Sequence, residues 1–145
     1  MNCRARILVT SLLLAITTAC GSDRSDHTPI PGRWYTAEQV EVGRSLFSLH
    51  CASCHGDNAE GTANWRVADD NGVYPPPPLN GSAHSWHHPL VMMERHINAG
   101  GAPLGGVMPG FDQQLTDTEI RAVIAYFQTF WPDDIYAQWR EIDMR

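Results

Sequence analysis

The chain contains no lysine. All ten basic residues are arginine, set against sixteen acids for a net charge of −6 over 145 residues. Such a balance excludes a binder that tracks nucleic-acid phosphates, which needs a basic stripe. Long apolar runs are also missing. The longest, Ile7 to Ile16, falls short of the roughly 20 residues of a spanning helix. Four cysteines are too few for a disulfide scaffold. No internal repeat is visible, and no period-two alternation is strong enough to predict a strand. What remains is ordinary for a globular body, with 43% hydrophobic and 18% charged residues, and the length suits one domain with tails.

The N-terminus reads as an export signal over residues 1–19. Arg4 and Arg6 precede the apolar run, and the small residues Thr17, Thr18 and Ala19 lead to Cys20. The segment Leu14 to Cys20, followed by Gly21-Ser22, resembles a bacterial lipoprotein signal, with Thr17 where that pattern usually carries leucine. The resemblance implies a lipidated Cys20 and a membrane anchor; plain cleavage after Ala19 is the alternative. Residues 20–34 then form a polar, Pro-containing tether. Removing the signal leaves eight arginines against sixteen acids, about −8, a surface that favours a partner with a basic patch.

Cys51-Ala52-Ser53-Cys54-His55 reads C-x-x-C-H, the attachment signature of a covalent c-type haem. Two thiols form thioethers with one porphyrin, and the histidine falls under the iron as an axial ligand. A thioredoxin-like redox pair is the rival, but it expects a βαβ setting and leaves His55 without a role. With Cys3 in the signal and Cys20 at the lipid site, no cysteine is left for a structural disulfide.

Around this motif the pattern is helical. Thr36 and Gln39 form a capping box for a helix from Ala37 to about His50, with Val40, Gly43, Phe47 and Cys51 on one face. Gly56 to Ser85 is loop, broken by Pro75 to Pro78. A loop so long needs something to wrap around, and a haem supplies it. A second helix starts at Pro89, as its first residue, and stops before Gly100-Gly101. Thr116 and Glu119 cap a third, whose stripe Ile120, Val123, Ile124, Phe127, Phe130 and Trp131 runs to Pro132. Residues 35–132 are the domain. Residues 133–145 are a C-terminal extension that forms a short helix through Ile135, Trp139 and Ile142.

The ordered series Gly43, Phe47, Cys51 to His55, Pro77 to Leu79, Met108-Pro109 and Tyr126-Phe127 resembles the class I c-type cytochromes over roughly Thr36 to Trp131. The resemblance implies an all-α cytochrome c fold, three main helices and long loops wrapped around one covalent haem c. It further implies that the N- and C-terminal helices cross at Gly43, Phe47 and Tyr126-Phe127. By the same resemblance the Pro77 carbonyl is expected to accept the Nδ1–H of His55, Leu79 to lie against the haem, and His55 and Met108 to ligate the iron. Met92 and Met93, on the second helix, suit core filling instead. The chain departs from the family's best-known members in lacking a lysine ring and in carrying His84-Ser85-Trp86-His87-His88.

The expected role is a non-enzymatic one-electron carrier on the periplasmic side of a bacterial membrane, exchanging electrons with redox protein partners. One alternative is a five-coordinate haem that binds gas or peroxide. Another is a copper-binding segment between His84 and Met93, since imidazole and thioether are copper ligands. Trp65 and Arg66 are candidates for contact with haem propionates.

Overall fold

The computed structural model describes residues 27–102 and 106–145. The predicted signal and the Cys20 lipid site lie outside the described residues. Helices follow in the order α1 (Ala37–His50), α2 (Ala52–His55), α3 (Leu90–Ala99), α4 (Asp117–Gln128) and α5 (Asp133–Asp143), with a 3₁₀ turn at His84–His87. Among the described residues there is no strand, only an isolated bridge between Pro29 and Thr36. The expected all-α cytochrome c fold is the observed one.

Both predicted capping boxes form. Thr36 Oγ1 accepts from the Gln39 amide at 3.1 Å, and Gln39 Oε1 accepts from the Thr36 amide at 2.9 Å. Thr116 and Glu119 repeat the arrangement at α4. Each box satisfies donors that the helix cannot, worth about 1 kcal/mol. The second helix differs slightly from expectation. Pro89 is its N-cap, and Leu90 begins it. Its first free amide, Leu90 N–H, donates to the Asp143 carboxylate at 2.7 Å. The cap therefore comes from the far end of the chain, where an anion also complements the helix dipole.

The predicted α4 stripe ends early. The helix stops at Gln128, and the Phe130 and Trp131 amides fold back onto the Phe127 and Gln128 carbonyls at 3.2 Å each. This tightened turn moves Trp131 off the helical face while keeping it buried. Beyond Pro132, α5 buries Tyr136 and Trp139, whereas the predicted Ile135 and Ile142 are only half-buried. Trp139 Nε1 donates to the His88 carbonyl at 2.9 Å, which holds α5 against the 3₁₀ turn.

The core forms where α1 crosses α4. Gly43 faces the Ala122 backbone so closely that a Cβ there would overlap the Ala122 carbonyl. One turn on, Phe47 packs on Tyr126 with ring centroids 5.3 Å apart. Behind this crossing stands an aromatic wall of Trp34, Tyr35, Trp131, Tyr136 and Trp139. Fully burying side chains of this size is worth about 2–3 kcal/mol each.

Gly43→Ala gains about 1 kcal/mol of helix propensity yet forces the crossing helices apart, so a net loss of about 2 kcal/mol is expected from the urea unfolding midpoint. Burial also pushes the Tyr35 hydroxyl up to about 12 from its ordinary 10. Its contribution is complete below pH 10 and disappears as pH rises through 12, because the unfolded chain releases this proton first. Unfolding midpoints measured over that range should fall less steeply in Tyr35→Phe.

Candidate haem-binding site

The cysteine motif sits where α1 ends. Cys51 closes α1 with its amide on the Phe47 carbonyl at 2.8 Å, and it opens the single turn α2. That turn places His55 one helical turn from Cys51, tied by the His55 amide to the Cys51 carbonyl at 2.9 Å. The two sulfurs are unbridged, with Cys54 exposed and Cys51 half-buried. Burial, with a smaller push from Cys54, holds the Cys51 thiol up to about 11.

His55 is buried, and its Nδ1 lies 2.9 Å from the Pro77 carbonyl oxygen. A carbonyl only accepts, so Nδ1 carries the proton and Nε2 keeps its lone pair. Burial lowers the basicity of the ring, and the Pro77 bond partly offsets this. The result is a neutral imidazole presenting one donor nitrogen, the form a metal ligand must take.

The segment that carries Pro77 is anchored with care. Four prolines in a row supply no N–H, so only carbonyls and the residues that follow can hold it. The Thr62 amide bonds the Pro76 carbonyl at 2.9 Å, and the Leu79 and Asn80 amides both reach the Ala59 carbonyl, at 2.8 and 3.1 Å. Ala59 is fully buried and takes the unusual φ of 55° to present that oxygen. Gly61, at φ 63°, donates to the His55 carbonyl at 2.7 Å and lets the Pro77 backbone pass where any Cβ would collide. Leu79 is half-buried against the core. Composition gave no warning of Ala59, and Gly61 looked like one loop glycine among several.

Met108 packs half-buried against the core at its own loop. Its carbonyl accepts the Gly101 amide at 2.8 Å, and the Phe111 amide reaches the Ile97 carbonyl at 3.1 Å. The loop is thus pinned to the end of α3 on both sides of the methionine. Gly100, at φ 74°, permits the approach, since a Cβ there would lie 2.6 Å from the Met108 oxygen. Met93 lies in the core and Met92 is exposed.

The remaining candidates make other contacts. Trp65 stacks on His84 at 5.4 Å, and the Arg66 guanidinium lies over the Trp65 ring at 4.3 Å. His87 packs on Trp86 at 3.8 Å. Among the described residues, no group of three or more His, Cys, Asp or Glu side chains converges to hold a metal ion. His84 also meets His88 edge to face, with ring centroids 5.6 Å apart. A surface groove of about 620 Å³ between α3 and α4, lined by Glu94, Arg95 and Arg121 among others, contains none of the predicted site residues.

Two unbridged thiols beside a buried histidine whose Nδ1 carries the proton and whose Nε2 keeps its lone pair form a donor set that fits a thioether-linked haem. A sequence model of the family described as "Cytochrome C oxidase, cbb3-type, subunit III" matches residues 38–127. The chain belongs to this family. Membership of these cytochrome c proteins brings covalent haem c with iron and a role in haem-based electron transfer. Curated relatives include the Cbb3-type cytochrome c oxidase subunit CcoP of Azospirillum sp. (strain B510), 30% identical over 95 residues, covering 66% of this chain and 30% of that protein. The subunit of the same name from Azospirillum brasilense is 30% identical over 90 residues, covering 62% of this chain and 28% of that protein. The chain thus spans less than a third of the length of these relatives. No solved structure matches it significantly. The matched region runs from the start of α1 to the end of α4 and leaves out α5.

Proposed function

We propose that this protein is an exported, lipid-anchored one-electron carrier with a single haem, working by outer-sphere transfer with His55 and Met108 as the iron ligands. The observation that carries the reading is the buried His55, proton-locked by Pro77 directly after the paired thiols. When bound, the haem supplies a one-electron ferric/ferrous couple. Cys51 and Cys54 hold it covalently, which suits a protein exported away from the cytosolic haem supply. His55 gives nitrogen through Nε2, with Pro77 fixing the ring and strengthening the donor. Met108 gives thioether sulfur, which favours the ferrous state and raises the potential. With both residues as ligands, the bound haem would serve electron transfer rather than the binding of oxygen or peroxide. Leu79 and the surrounding apolar side chains exclude water, which further disfavours the more charged ferric form.

The acidic, lysine-free chain suits a redox partner with a basic docking patch, with encounter rates that fall as salt rises. Similarity to subunits of cbb3-type oxidases points to a respiratory partner at the periplasmic face. Cys20, through its acyl chains, would keep the carrier at that membrane. Among the described residues no helix is long and apolar enough to cross a membrane.

A pyridine haemochrome spectrum of the protein from a host with haem-attachment machinery tests the site. The wild type should show the band of two thioether bonds and retain its haem through acid–acetone extraction. Cys51→Ser/Cys54→Ser should lose it, and equal retention by that variant would sink the assignment. Met108→Ala should lose the far-red sulfur-to-iron band of the ferric protein and acquire carbon monoxide binding when reduced. Carbon monoxide binding by the reduced wild type would instead identify an open haem.

A further inference from the structure

Pro77 holds the proton of His55, but Pro77 must itself be held. On one side the 59–62 loop grips it, through the Thr62, Leu79 and Asn80 amides described above. On the other side one side chain reaches it. Trp131 Nε1 donates to the Leu79 carbonyl at 2.7 Å, across 52 residues of chain. Trp131 is buried, at 3% exposed, so its N–H needs this acceptor.

The position of Trp131 is itself fixed. The turn that ends α4 swings it off the helical face, its ring meets Phe127 at 6.1 Å, and Trp139 of α5 packs edge-on against it at 5.8 Å. Trp139 is fully buried and bonded to the His88 carbonyl. A continuous set of packed rings and hydrogen bonds therefore runs from α5 through Trp131 to Leu79, two residues from the carbonyl on His55. The segment between lacks amide donors of its own because it is proline. The Trp131 bond therefore complements the amide bonds of the 59–62 loop, reaching the Leu79 carbonyl that those bonds leave open.

We propose that Trp131 is a positioning residue for the proximal histidine: its N–H clamps the Pro77–Leu79 segment so that the Pro77 carbonyl stays on His55 Nδ1, and this tunes the iron. The inference rests on the reading that His55 ligates haem iron. A tight Nδ1–H···O bond makes the imidazole a stronger donor and favours ferric iron. Loosening the segment weakens that donor, so the reduction potential rises. It also opens the Nδ1 proton to solvent.

The test compares wild type, Trp131→Phe and Trp34→Phe as full-length haem proteins. Trp34 is the matched control, because its Nε1 donates within the same aromatic wall to Gln128 Oε1, at 2.7 Å, and not to the proline segment. The readouts are solvent exchange of the His55 Nδ1 proton by NMR, the midpoint potential and the unfolding midpoint. Trp131→Phe should speed that exchange about tenfold and raise the potential. Trp34→Phe should lower stability and leave both histidine readouts in place. Unchanged exchange in Trp131→Phe, or equal acceleration in both variants, would overturn the proposal, since either assigns Trp131 to general stability. If Trp131→Phe does not fold, benzothienylalanine at this position exchanges only the N–H for sulfur and keeps the ring, and the same two outcomes apply. A wild type without thioether-bound haem would refute the site itself. A haem-loaded wild type whose histidine proton ignores Trp131 would refute only the clamp.

Discussion

A buried imidazole can present one nitrogen to a metal only if its other nitrogen is satisfied and its proton fixed. The 2.9 Å contact between His55 Nδ1 and the Pro77 carbonyl meets that requirement, and much of the surrounding loop exists to keep it. Proline suits the task for a physical reason. A run without amide protons cannot join a helix or a sheet, so its carbonyls stay available for side chains and distant amides. The strained Ala59 and the tightly fitted Gly61 are consistent with this, since both bring backbone closer to the segment than ordinary residues allow.

The helices serve the same end at a larger scale. α1 must finish at Cys51, and its crossing with α4 sets where that end lies. Gly43 and Ala122 let the two backbones nearly touch, and the Phe47–Tyr126 pair fixes the register one turn further along. The same helix α4 delivers Trp131 to the opposite side of the proline segment. The cysteine motif and its supporting loop are therefore positioned by two ends of one helix pair. α5, outside the region matched by the family, braces this arrangement through Trp139 and lends Asp143 as the cap of α3.

Much of this was legible along the chain because the signals are local. Both capping boxes span four residues and formed as written, since cap and helix are neighbours whatever the tertiary fold. The exit of the chain from α4 was misjudged, because Phe130 and Trp131 continue the apolar period while the backbone has already turned. Tyr136 was missed for the converse reason: its burial against Tyr35 and beneath the Arg33 guanidinium depends on residues about a hundred positions away. The histidine-rich segment invited a metal reading by composition; in the fold His84 stacks on Trp65 and His87 on Trp86, while His84 and His88 meet edge to face at 5.6 Å.

The sequence by itself determined the helical class, the caps, the cysteine and histidine spacing and the acidic, lysine-free balance, because each depends on residue identity or on contacts within one turn. Only the tertiary structure decided that Asp143 caps α3, that Ala59 and Gly61 shape the proline segment, and that Trp131 reaches Leu79. Those contacts join residues between 16 and 53 positions apart, and no periodicity or propensity encodes such a separation.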